Sequence, residues 1–124
     1  MYKYKATVIN VVDGDTFDPM VDLGFRIYHK VRIRLLEIDT PEMRGIEANR
    51  GKKCKEFAEK LLLNKEVLIQ SEKEDSDLKT DSFGRWLCYL WIRDINIIDI
   101  YNQNCINKKY FTYNPEAIDS VEKL

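Results

Sequence analysis

The chain has 124 residues, enough for one domain (1–124) that buries most of the surface its unfolded form exposes and folds without covalent staples. Its formal net charge of −1 excludes a protein that gathers polyanions through its overall field, so any nucleic acid must be held by a local cluster of cations. Cys54, Cys88 and Cys105 are odd in number and no pair has metal-ligand or redox spacing, so they read as buried, reduced thiols rather than disulfides or a zinc site.

In chain order, Lys5 to Val12 is rich in β-branched residues and ends at Asp-Gly, which predicts a strand running into a turn. Strict alternation would set Ala6, Val8, Asn10 and Val12 on one face and Thr7, Ile9 and Val11 on the other. Phe17 to Leu23 and Phe25 to Ile38 predict two more strands with a turn around Gly24. In the second of these, Val31, Ile33 and Leu35 alternate with Arg32, Arg34 and Leu36, which sets the arginines opposite the apolar set. Asp39-Thr40-Pro41-Glu42 breaks the strand. From Glu47 to Leu63, Cys54, Phe57, Ala58, Leu61 and Leu62 recur at helical spacing and predict an amphipathic helix. Glu66 to Gln70 and Trp86 to Ile92 predict a fourth and a fifth strand. Asn96 to Ile106 predicts a short helix, and Pro115 to Leu124 a final one with Pro near its start.

Charge is unevenly distributed. Glu72 to Asp81 is acidic, whereas Arg44 to Lys60 carries six cations against three glutamates; both stretches read first as solvated surface, the second also as a segment that steers a polyanion. No apolar run is long enough to cross a bilayer, and the opening Met-Tyr-Lys-Tyr-Lys-Ala-Thr-Val lacks the apolar segment of a secretory leader. The expectation is a cytoplasmic protein as written, with no membrane partner, secreted only if a leader has been removed.

Two segments stand apart. Val12-Asp13-Gly14-Asp15-Thr16 and Arg34-Leu35-Leu36-Glu37-Ile38-Asp39-Thr40-Pro41-Glu42 gather carboxylates, a hydroxyl and an arginine where strand chemistry asks for neither. Taken singly, Asp-Gly-Asp is an ordinary turn and Asp-Thr-Pro-Glu an ordinary helix start. Taken together they suit phosphodiester cleavage, which needs an aimed and deprotonated water, neutralisation of charge at phosphorus and relief of the leaving oxygen. Asp15 and Asp39 supply hard oxygen ligands for a divalent cation. Arg34 and Arg85 are planar, permanently charged forks that match two phosphate oxygens at once. Glu42 is left as a candidate general base.

With Asp81-Ser82-Phe83-Gly84-Arg85 further on, the order and spacing of these segments resemble the staphylococcal nuclease (thermonuclease) family. Three strands, a helix and two strands already suggest an α+β domain in the order of an OB-fold. The resemblance implies the rest: a barrel-type α+β fold, a five-stranded Greek-key β-barrel with two to three helices. It covers the first ninety or so residues well and the remainder loosely.

The resemblance implies Asp15, Asp39 and the backbone carbonyl of Thr40 as ligands of Ca2+, Arg34 and Arg85 as the clamp on the attacked phosphate, and Glu42 as the base or as the group that orders the attacking water. It also implies a monomeric, sugar-nonspecific nuclease acting on DNA and RNA, preferably single-stranded or frayed, that releases the 5′ oxygen and leaves 3′-phosphate ends. The alternative is a catalytically weak module of the same type that binds nucleic acid or protein.

The family's Lys-Tyr pair before Gly-Arg, which contacts a terminal nucleotide phosphate, is Ser82-Phe83 here. Its later tyrosine pair is kept only at Tyr113, with Phe111 at the other position. Phe83 and Tyr113 remain candidate nucleotide-binding rings, Tyr113 equally a packing residue. Tyr110 is open to the same two readings. His29, the sole histidine, reads as an exposed strand residue, and Trp86 and Trp91 fall on opposite faces of one strand, so that one of them belongs to the core.

Overall fold

In the computed structural model, which describes residues 3–71, 73–74, 77–78 and 85–103, the β-branched opening forms β1 (Lys3–Asp13). The alternation expected for it holds only as far as Val8. A bulge between Val8 and Asn10 shifts the register against the next strand, so Val11 joins Ala6 and Val8 in the core and Asn10 turns outward. A bulge inserts one extra residue, and every side chain beyond it changes face.

β2 (Thr16–Asp22) returns antiparallel to β1 through the Asp13-Gly14-Asp15 turn. The predicted single strand from Phe25 to Ile38 is instead two short ones, β3 (Tyr28–Lys30) and β4 (Ile33–Leu35). The residues before β3 form a hairpin tip in which Gly24, Phe25 and Arg26 all have positive φ (82°, 53° and 61°), a backbone incompatible with an extended ladder. β3 lies on β2 alone, at Met20↔Lys30 to Asp22↔Tyr28, and the ladder lapses at Val31 and Arg32 before β4 resumes it at Phe17↔Ile33 and Thr16↔Arg34.

The helix predicted from Glu47 to Leu63 is α1 (Ala48–Leu62), entered through a 3-10 turn at Gly45–Glu47. Cys54, Phe57, Ala58, Leu61 and Leu62 form its buried stripe as expected, and Gly51 joins them. β5 (Glu66–Ser71) follows, then a two-stranded ribbon of β6 (Lys73–Glu74) and β7 (Asp77–Leu78). β8 (Trp86–Ile92) and the short β9 (Ile95–Asn96) lead into α2 (Ile97–Gln103), the described part of the helix expected to reach Ile106. The final helix expected from Pro115 lies outside the described residues.

Five strands close a mixed barrel in the order β1–β5–β8–β4–β2, with β2 pairing back to β1; β3 extends β2 and β9 extends β8. β4 and β8 run parallel, and every other pair in the barrel is antiparallel. With α1 between the third and fourth barrel strands, this is the OB-like α+β barrel that the element order implied. Phe17, Ile33, Leu35, Leu90 and Ile38 fill the barrel, while Phe57, Leu61 and Leu62 of α1 and Ile97 and Tyr101 of α2 close it. The Phe57 and Tyr101 rings meet edge to face, centroids 5.5 Å apart, so the two helices share one seam. Trp86 packs on the core, whereas Trp91 faces outward beside Tyr89 with the Lys3 ammonium 4.4 Å from its ring centre. His29 is exposed, as expected.

Candidate functional site

The turn between β1 and β2 is built for close approach. A Cβ added to Gly14 would lie 2.8 Å from Cys54 Cβ and 2.9 Å from Thr40 Oγ1, so only glycine lets α1 and the Thr40 segment press against this turn. From α2, the Tyr101 hydroxyl donates a 2.6 Å hydrogen bond to the Gly14 carbonyl, and the Leu35 amide donates one of 2.9 Å to the Asp15 carbonyl. The backbone carrying Asp13 and Asp15 is thereby tied to both helices and to β4.

β4 brings in the arginine. Thr16 stands opposite Arg34 in the β2–β4 ladder. After Leu35 the chain bends through Glu37, whose φ of 63° is unusual for a residue with a side chain. Ile38 then plugs the core and Thr40 is buried, which leaves Asp39 between them pointing out, its side chain 59% exposed. One nitrogen, Arg34 Nη2, consequently meets both carboxylates, at 3.4 Å from Asp15 Oδ2 and 3.3 Å from Asp39 Oδ1. Nη1 of the same group donates to the Leu35 carbonyl at 3.0 Å, which fixes the fork.

Asp15 is the most heavily partnered of these groups. Its oxygens accept hydrogen bonds from the Thr16 hydroxyl (3.0 Å) and the Thr40 amide (3.2 Å), and its own amide donates to Asp13 Oδ1 at 3.1 Å. Burial alone would push its carboxyl up, but contacts with Asp13, the Thr40 amide, the Arg34 charge and Thr16 outweigh it and hold Asp15 below the ordinary carboxylate range. Asp13 moves the opposite way. Burial, then its hydrogen bond with Asp15 and the charge on Asp15, push it up to about 6, so the pair shares one negative charge in mild acid.

Arg85 reaches the same place from the start of β8, with Nη1 3.3 Å from Thr16 Oγ1. Glu42 is exposed at the rim, its amide donating to Glu47 Oε2 at 3.1 Å. Gly51 of α1 sits directly beneath it; an added Cβ would fall 2.2 Å from the Glu42 carbonyl oxygen. A cavity of about 450 Å3 is lined by Asp13, Asp15, Thr16, Arg34, Asp39, Thr40, Glu42 and Arg85, together with Val12, Arg32 and Pro41. The six residues expected to carry catalysis and the metal are therefore all brought to one cleft. Phe83, Tyr113, Ser82, Phe111, Tyr110 and Cys105 lie outside the described residues.

Three contributors were missed from the sequence. Asp13 lies two residues before Asp15 in the same turn, and that i, i+2 spacing is its signal in the sequence. Arg32 alternates with Arg34 and so shares its face, which is a second signal in the sequence. Tyr101 is 87 residues from the carbonyl it holds, and no local pattern announces it.

The cleft lining has neither histidine nor cysteine. Among the described residues no three of His, Cys, Asp and Glu converge as a ligand cluster, and the convergent pair is Asp15 with Asp39 around Arg34 Nη2. Two carboxylates drawn from separate segments toward one cationic atom, in a lining whose acceptors are all oxygen, fit a hard divalent ion better than a soft one.

Residues 32–123 match the family described as staphylococcal nuclease homologue, a span that takes in Arg34, Asp39, Thr40, Glu42 and Arg85 and begins after Asp15. The chain belongs to the staphylococcal nuclease family. It is 32% identical over 126 residues to an uncharacterized protein of Methanocaldococcus jannaschii, covering 86% of this chain and 58% of that one. It is 33% identical over 92 residues to the thermonuclease of Staphylococcus intermedius, covering 70% of this chain and 48% of that enzyme. The protein ParB of Escherichia coli is 32% identical over 88 residues, 71% of this chain and 42% of its own length. The chain thus spans about half the length of the curated relatives it matches.

Proposed function

We propose that this chain is a calcium-dependent, sugar-nonspecific phosphodiesterase that hydrolyses DNA and RNA, with single-stranded or frayed regions preferred and 3′-phosphate ends as products. The observation that carries the reading is the meeting of Asp15 and Asp39 on one guanidinium nitrogen in a cleft that also holds Arg85 and Glu42. Asp15, Asp39 and the Thr40 carbonyl would hold the ion, whose contribution when bound is to neutralise charge developing on the phosphoryl oxygens. The match to a thermonuclease supports the same reaction class.

The chain's own groups supply the rest. Arg34 and Arg85 approach from β4 and β8, strands that run parallel side by side, and their forks can take separate oxygens of one phosphate. The hydrogen bonds these forks donate, Arg34 to the Leu35 carbonyl and Arg85 to the Thr16 hydroxyl oxygen, hold them in place before substrate arrives, so little reorganisation is needed as charge builds. Glu42, exposed on a short segment pinned by Glu47, takes the proton of the attacking water. The water oxygen bonds to phosphorus as the bond from phosphorus to the 5′ oxygen breaks, and that oxygen takes a proton from solvent and leaves as the 5′ hydroxyl. The protein acts as a monomer, and residues 1–124 form one domain. No described helix is long and apolar enough to cross a membrane.

Replacement of Arg34 by Lys tests the reading, because lysine keeps the charge and loses the two-pronged contact. Turnover should fall about a hundredfold or more. Near-normal turnover would overturn the clamp.

A further inference from the structure

Arg32 lines the same cleft and takes no part in the chemistry proposed above. Two residues from Arg34 on the same face, it extends the cleft one step away from the carboxylates. The β2–β4 ladder pairs Thr16 with Arg34 and Phe17 with Ile33 and lapses beyond that pair, where Asp18 and Arg32 are the next residues on the two segments. Their side chains meet there: Arg32 Nε lies 2.8 Å from Asp18 Oδ1 and Nη2 3.0 Å from Oδ2.

This pairing orients the arginine without consuming it. Asp18 is buried and is itself held by Asn10 Nδ2 at 3.0 Å, so the carboxylate that grips Arg32 cannot swing. The grip engages the Nε edge of the guanidinium. Among the described residues Nη1 bonds nothing, and 53% of the side chain remains exposed. Two residues along a strand is a stride of about 7 Å. That is comparable with the step between successive phosphates of an extended nucleic-acid strand.

We propose that Arg32 binds the phosphate next to the one that is cut, so that the cleft selects polynucleotides over isolated diesters. This rests on the nuclease reading of the cleft. Asp18 serves as the positioning residue, fixing the fork so that Nη1 faces the substrate strand. Cancelling part of the arginine's charge, it also lets the contact depend on geometry more than on long-range attraction.

The experiment compares two substrates in calcium: a hexanucleotide, and a dinucleoside monophosphate that has one diester and no flanking phosphate. Arg32→Gln should lower kcat/KM on the hexanucleotide about tenfold, mostly through KM, and change the dinucleoside rate less than twofold. With chelator present, so that nothing is cut, the dependence of log affinity on log salt for the same hexanucleotide should lose about one unit of slope. Equal losses on both substrates would make Arg32 a structural residue, and no loss on the hexanucleotide would overturn the proposal. Should Arg32→Gln fail to fold, Arg32→Lys gives the same comparison with a smaller preference for the longer substrate. A parent protein that cuts neither substrate would refute the nuclease reading, and the salt slope would still decide whether Arg32 meets a phosphate.

Discussion

The Tyr101 hydroxyl donates a 2.6 Å hydrogen bond to the Gly14 carbonyl, so that α2 holds the turn from which Asp13 and Asp15 project. Both partners are buried, and burial pushes the phenol well above its ordinary value, which keeps it a donor at any working pH. Tyr101→Phe leaves that carbonyl in the core without its donor. The expected cost is about 1–3 kcal/mol of folding stability, together with weaker calcium binding because the turn is released. Thermal melts with and without calcium check both parts; an unchanged melting temperature would mean that the bond contributes nothing.

Gly51 offers a sharper separation of stability from function. In an ordinary helix interior Gly→Ala gains about 1 kcal/mol. Here the new methyl group would strike the carbonyl of Glu42, which is backbone and cannot rotate away. Gly51→Ala should therefore fail to stabilise the protein and should displace the segment that carries Glu42, with a loss of turnover approaching a hundredfold, because small misplacements of catalytic groups are costly. A stabilised variant with full turnover would contradict this packing.

Two of the shifted carboxyls, Asp13 and Asp18, give pH effects of opposite sign. Asp13 is raised from 3.8 to about 6 by burial and by Asp15, so its ionised form destabilises the fold, and the penalty grows as pH rises from about 4 through about 6. Asp13→Asn keeps an oxygen acceptor for the Asp15 amide and removes that charge. In chelator it should melt higher than the parent at pH 7, and the difference should vanish near pH 4. Asp18 is lowered, chiefly by its hydrogen bond from Arg32 against the effect of burial, so its stabilisation is in force above 3.8 and is lost only as pH falls below that. Asp18→Asn should thus melt lower at pH 7, with most of the loss still present at pH 5. Two variants shifting in the same direction at pH 7 would refute the assignment.

Much of this was legible because the chemistry is local. Asp13-Gly14-Asp15 and the run from Arg34 to Glu42 each sit on a few consecutive residues, and the α1 stripe follows a period that nothing interrupts. The strand from Phe25 to Ile38 was misread because hydrophobic alternation cannot show where a ladder lapses. A hairpin tip with three consecutive positive-φ residues left the same apolar pattern as a strand. The face assignment after Val8 failed for a related reason, since a bulge changes register without changing composition. Contacts such as Arg32 with Asp18 and Tyr101 with Gly14 join distant segments, and only the closed barrel brings them together.

Hydrolysis of nucleic acid in calcium tests the central claim most directly. Supercoiled plasmid DNA and a single-stranded RNA are each incubated with the protein in calcium and, in parallel, in chelator, and the products are run on a gel. The account predicts that both substrates are degraded to fragments with 3′-phosphate ends in calcium and persist in chelator. Intact DNA and RNA in calcium, or equal degradation in chelator, would contradict it.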